Sequence, residues 1–255
     1  MKPVALRGRL WSLILGMLLL PVAAHAQDEE PWTYTHGLSI GYSAVDFTYS
    51  GDELPPDFYD FVNPAVSLIY TRPNVRAMLT YGTQDREIGN DRIGGRALLE
   101  GSFSTWVPLW SPIPSLSGGP ARFYIPVLAH LDGRRVSQDS DVESIINEYN
   151  FTVLGLGTGV AFSGVWGTTG LDARLTPIVG YASRSFGDAT GFSYQVEGSL
   201  DVHLGRLFGE LGLVAGYFFR YQEYDINRGQ VFLQLANDVL NYTNIQHTFH
   251  LGVTF

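Results

Sequence analysis

The chain has 255 residues, with 25 Asp and Glu against 16 Lys and Arg, and no cysteine. That acidic balance makes it a poor candidate for binding nucleic acid. The absence of cysteine excludes a disulfide framework, thiolate metal sites and cysteine nucleophiles. Its length allows one large β domain or two small ones, and no low-complexity linker divides it.

Met1 to Ala26 has a basic start (Lys2, Arg7, Arg9), an apolar run from Leu10 to Val22, and the small residues of Ala24-His25-Ala26. This is the layout of a secretory signal peptide. The run is shorter than the roughly 20 residues of a membrane-spanning helix. Residues 1–26 therefore read as a leader and residues 27–255 as a single exported domain. Without the leader, 13 basic residues face 25 acidic ones, a net charge of −12, and every remaining basic residue is arginine.

Beyond Gln27 there is no long apolar stretch, but there are many short runs in which apolar and polar residues alternate. Alternation with a period of two marks a strand with one greasy and one wet face. In chain order the predicted strands are Thr33–Tyr49, Pro64–Thr71, Val75–Thr83, Gly95–Val107 and Arg122–Leu131. Tyr149–Ser163, Leu171–Ser185, Phe192–Leu204, Phe208–Gln222 and Tyr242–Phe255 follow. The run from Phe192 to Leu204 alternates without a break. It is longer than an ordinary sandwich strand and suits a tilted strand crossing a bilayer.

The count is ten, with eight or twelve also compatible with the links. Short links follow the second, sixth and eighth strands (Arg72-Pro73-Asn74, Gly164–Gly170, Gly205-Arg206). Long polar links follow the first, third, fifth and ninth. Two links break the rule: Pro108–Ala121 is long where a turn is expected, and Gly187–Gly191 is short where a loop is expected. Short turns at one end and long loops at the other are the layout of a closed antiparallel transmembrane β-barrel. Trp106, Trp110, Trp166, Tyr181, Phe186, Phe208, Tyr217, Phe219 and Tyr221 fall near predicted strand ends, as interfacial girdles do. The stretch from Gln230 to Tyr242 reads as a short helix over the mouth or as extensions of the flanking strands.

The last strand places Phe249, Leu251, Val253 and Phe255 on one face and His250, Gly252 and Thr254 on the other. This pattern resembles the C-terminal sorting signal of bacterial outer-membrane β-barrels. The whole chain resembles, at the level of architecture, porin-like proteins of that group. The resemblance implies recognition by the outer-membrane barrel assembly machinery and partners in outer-membrane lipid and lipopolysaccharide. It leaves oligomeric state open.

The wet faces would line the lumen. They carry Arg76, Arg96, Glu100, Arg122, His130, Arg174, Glu197, Asp201, His203, Glu210 and Arg220. Both signs are present, which fits either a packed network of ion pairs or a constricted hydrophilic path. Two functional classes follow: a narrow channel for ions or small solutes, and a plugged structural or surface-interaction barrel. A lumen- or rim-sited hydrolase is a third. Its only motif is Asp201 and His203, two apart on one face, with Ser199 beside them. His247 and His250 fall on opposite faces and make a poor metal pair, and Gly155–Val160 lies within a strand, where no nucleotide loop forms. No metal or cofactor is expected. The long acidic loops suit a solvated surface, or a rim holding divalent cations shared with lipopolysaccharide phosphates.

N-terminal sequencing of protein taken from membranes should begin at Gln27. An intact Met1 would contradict the leader.

Overall fold

The computed structural model describes residues 35–50, 60–88, 91–113, 121–138, 148–166, 168–184, 190–208, 210–227 and 239–255. The predicted leader, most of the long polar links and residues 230–238 of the Gln230–Tyr242 stretch lie outside them. The strands are β1 (Gly37–Ser50), β2 (Phe61–Arg72), β3 (Val75–Ile88), β4 (Asp91–Ile113) and β5 (Arg122–Gln138). They continue as β6 (Glu148–Thr158), β7 (Val160–Trp166), β8 (Thr169–Arg184), β9 (Thr190–Phe208), β10 (Leu211–Asn227) and β11 (Val239–Thr254).

All pairings are antiparallel, and the ring closes because β1 pairs with both β2 and β11. Strands β6 and β7 are one leg. The pairing register against β5 and β8 is the same on both sides of Gly159, where the ladder is briefly interrupted. The ring therefore has ten legs, the expected number.

The paired residues also fix the stagger. From Gly37 the ladder passes through Thr71, Arg76, Ser104, His130, Gly155, Gly180, Ser193, Tyr224 and Tyr242. It returns to β1 at Tyr49, twelve residues beyond its start. Twelve residues of rise over ten strand spacings give a tilt of about 40° and a backbone diameter of about 20 Å.

Every strand turns its apolar set outward. Ile40, Val66, Leu79, Leu156, Val179, Phe192, Leu200, Phe249 and Leu251 are exposed. The inward set includes Ser43, Ser67, Thr80, Glu100, Thr176, Gln195, Glu197, Arg220, Gln222, Gln246 and Thr248, all buried. This inverts the polarity of a soluble protein. It is the polarity of a barrel standing in lipid, where the closed ladder satisfies the backbone and the outside must be apolar. Among the described residues no helix is long and apolar enough to cross a membrane.

Several boundaries shift. Strand β5 runs through the Asp132-Gly133-Arg134 segment read as a loop, because His130, Asp132, Arg134 and Val136 keep the inward alternation. The link between β3 and β4 shrinks to residues 89–90 as both strands lengthen. The turn predicted at Gly205-Arg206 lies further on, at residues 209–210, so β9 continues to Phe208. Trp106 is not a girdle residue: it points inward, is 9% exposed and packs with Tyr124, Leu128, Ala161 and Ile178. Trp166, Tyr181 and Phe208 are exposed on the outer surface. The side chains of Trp110 and Phe186 lie outside the described residues.

Candidate functional site: the charged lumen

The lumen is crossed by charge at two levels. At the first, Glu100 on β4 and Arg134 on β5 stand directly opposite each other, as do Glu197 on β9 and Arg220 on β10. Arg134 donates to Glu100 at 2.6 Å. Arg220 donates to both Glu100 and Glu197, the latter at 3.1 Å. Arg174 on β8 reaches Glu197 at 3.4 Å. The result is an alternating chain, Arg134–Glu100–Arg220–Glu197–Arg174. Strands β4 and β10 lie five legs apart in a ring of ten, so the Arg220–Glu100 pair spans the diameter. Glu100, Glu197 and Arg220 are each 1% exposed.

Further side chains fasten this layer. Gln195 donates to Glu197 at 2.9 Å, and Gln222 donates to Asp132 at 2.9 Å. His130 lies 2.9 Å from Ser104 through Nδ1 and 3.0 Å from Asp132 through Nε2. Ser104 also donates to Glu197 at 3.3 Å. Guanidinium faces rest on rings: Arg174 lies 3.9 Å from the Trp106 ring centre, Arg134 4.8 Å from Phe47 and Arg220 5.3 Å from Phe218. Cations so desolvated gain from the ring quadrupole.

The second level is nearer the short-turn end. Arg76 on β3 pairs with Asp201 on β9, again five legs away. His250 on β11 lies 2.9 Å from the same carboxylate. Gly216 permits this, since a Cβ there would collide with the Asp201 carboxylate and the His250 ring. His203 pairs with Asp172 at 3.0 Å.

Arg76, Arg96, Glu100, His130, Arg174, Glu197, Asp201, His203 and Arg220 are all buried in the lumen. Arg96 donates to the backbone carbonyl of Asp60. Arg122 is half-buried at the mouth, 5.3 Å from the Tyr124 ring centre. Glu210 is not lumenal. It sits exposed in the turn between β9 and β10, because β9 runs past the predicted turn and displaces it. Asp201 and His203 share a face but turn to different partners, so the suggested acid–histidine pair is not assembled.

Four charged or titratable participants were missed by sequence reasoning: Asp132, Arg134, Asp172 and His250. Asp132 and Arg134 lie past the predicted end of their strand, where an Asp-Gly pair reads as a turn. Asp172 and His250 carried the correct parity within predicted strands and could have been found from it. The Ser104–His130–Asp132 array has the residue types of a nucleophile, base and orienting acid. It is sealed among buried side chains, with Ser104 itself tied to Glu197. Among the described residues no three His, Asp or Glu side chains converge as metal ligands.

No protein-family model matches the chain, and no curated protein does. Solved structures similar to it include the outer membrane protease OmpT from Escherichia coli, 9% identical over 87% of this chain and 94% of that one, with a TM-score of 0.35. Neisserial surface protein A is 14% identical, covering 86% of this chain and 97% of that one, with a TM-score of 0.30. Ail, the attachment invasion locus protein of Yersinia pestis, is 11% identical over 85% and 98% of the two chains, with a TM-score of 0.16. The three differ in described role, and none of those roles passes to this chain at such similarity.

Replacing Arg220 or Glu100 by glutamine should each lower unfolding stability by about 3–5 kcal/mol, because the partner is left charged and buried. Arg122→Gln, at the half-buried mouth, should cost less than about 1 kcal/mol. Denaturant titration of the folded barrel in lipid vesicles measures all three. Equal small effects at all three positions would mean that the lumen is filled with water.

Proposed function

We propose that the chain is an integral barrel of the bacterial outer membrane, exported through a cleaved leader, whose lumen is closed by its own ion pairs. It acts as a structural or surface-interaction barrel, without catalysis and without steady passage of solutes. The observation that carries this reading is the pair of diameter-spanning contacts, Arg220–Glu100 and Arg76–Asp201. A hydrophilic path leaves its charges on the wall, facing water. Here arginines and acids from opposite walls meet in the middle. The alternative reading, a narrow channel for ions or small solutes, requires these bonds to open.

Lipid is the partner of the outer face, and lipopolysaccharide its outer leaflet. For assembly, the outward residues Phe249, Leu251, Val253 and Phe255 offer the machinery an apolar face, while Thr254 is buried inward. The last residue also completes the seam. Phe255 donates to the His36 carbonyl at 2.9 Å and accepts from the backbone of Thr35 and His36.

Two measurements follow. In planar bilayers the purified barrel should show no steady unitary steps, and a Glu100→Ala, Arg220→Ala double variant should admit a leak. Sustained ion-selective steps from the unaltered protein would establish the channel reading instead. In cells, Phe255→Asp should reduce the heat-modifiable folded barrel several-fold, with Thr254→Asp affecting it less. The expected defect lies chiefly in recognition, since a charge near the interface costs only about 0–1 kcal/mol. Equal amounts of folded barrel from both variants would count against recognition through this face.

A further inference from the structure

The second lumenal layer borders a small, partly open cavity near the short-turn end, of about 30 Å³ and lined by Arg76, Arg174, Asp172, Asp201, Ser199 and Trp106 among others. That volume is above what one water needs. Its two arginines are each 6% exposed, and each gives one nitrogen to a carboxylate: Arg76 donates through Nη2 to Asp201, and Arg174 through Nη2 to Glu197. Nε and Nη1 of both arginines are buried and have no acceptor among the described residues. Four unpartnered nitrogens, carrying six N–H groups, on two like-charged side chains that line one cavity are an unusual arrangement, because buried donors are nearly always satisfied.

The acids in the lining do not meet this need. Asp201 is engaged by Arg76 and by His250 at 2.9 Å, and Asp172 by His203 at 3.0 Å. Glu197, behind Arg174, is shared with Arg220 and approached by His130 at 3.6 Å. Each carboxylate therefore already stands against at least one basic side chain, although Asp172 Oδ2 and Asp201 Oδ1 make no hydrogen bond among the described residues, while each of the two arginines keeps two unused nitrogens. Ser199 adds a hydroxyl to the wall, and the Trp106 ring fixes the Arg174 plane from one side at 3.9 Å.

We propose that this cavity is a subsite for a small oxyanion, a phosphate or a carboxylate, entering from the short-turn end of the barrel and held between Arg76 and Arg174. The planar fork of a guanidinium matches both groups, and charge-assisted bonds to two of them fix the anion's orientation. The ring of strands walls the cavity off from lipid, so the ligand is a free solute of the compartment at that end. Chloride can neutralise charge there but supplies no set of oxygens to match the fork. The site goes beyond the closed-lumen reading and does not depend on it, since an anion can seat at one end whether or not the central layer conducts.

The test uses the full barrel folded in nanodiscs, titrated with inorganic phosphate and, separately, with formate, at constant ionic strength set by chloride. Calorimetry should show saturable binding of one anion per barrel for at least one of the two. Ser199→Leu fills the cavity and replaces no member of either ion pair, and it should weaken binding at least tenfold while the heat-modifiable folded form persists. Arg174→Lys keeps a cation beside Glu197 but removes the fork, and should weaken binding by a similar factor. Absence of saturable binding to the folded unaltered barrel would overturn the proposal. So would binding that Ser199→Leu leaves unchanged, since the anion would then sit elsewhere. A conductance in the unaltered protein would disprove the closed lumen and leave this titration as informative as before.

Discussion

A backbone in hydrocarbon has no water to bond to, and each of its polar groups must find a partner in the chain. The remaining features of this structure descend from that constraint. Closing β1 onto β11 supplies the partners and abolishes sheet edges. Closure with ten legs and a stagger of twelve residues then sets the width of the interior. Width in turn decides what the lumen can hold. A wider ring would leave side chains on a wet wall. At about 20 Å between backbones, long side chains from opposite walls meet.

The inside of such a ring must be polar enough to follow from the alternation and satisfied enough to survive burial. Removing carboxylates and guanidiniums from water costs several kcal/mol per ion, and attraction repays this only where geometry is good and the remaining donors and acceptors are bonded. The Glu100–Arg220–Glu197 layer comes near that condition with help from Gln195, Gln222, Ser104 and His130, leaving Nε of Arg220 and Oε1 of Gln195 without a partner among the described residues. Arg76 in the second layer, and Arg174 at the edge of the first that faces it, meet it less fully, each with two guanidinium nitrogens to spare. The difference separates a fastening from a receptive site within one lumen.

Much of this was legible in the alternation. Parity alone placed Glu197, Asp201 and His203 on one face of β9 and Phe192 to Leu204 on the other, and it put Phe255 outward and Thr254 inward. What parity could not supply was partnership. Asp201 pairs with Arg76, 125 residues earlier in the chain, and only closure and stagger bring them together. Turn signals also misled. The Asp132-Gly133 pair ended a predicted strand that in fact continues, because inward bonds of Asp132 to His130 and Gln222 outweigh the local preference for a turn. Glu210 was misplaced for the related reason that β9 outruns its predicted turn. Trp106 was read as an interfacial anchor from its position near a strand end. Its parity, shared with Glu100 and Ser104, would have put it inside.

The composition itself becomes intelligible from the lumen. Lys2 is the only lysine in the chain, so apart from histidine every basic residue in the barrel is arginine. An ammonium is a compact, strongly hydrated point charge that readily loses its proton when buried, whereas a guanidinium stays charged, is more weakly hydrated and stacks on rings. Arg220 uses all of these properties together. It bonds Glu100 on the far wall through one nitrogen and Glu197 on the adjacent strand through another, and lies against the Phe218 ring. A lysine at that position could offer protons to both acids, but not from a plane fixed by a ring. The alternating chain that crosses this barrel is therefore one that arginine can build and lysine cannot.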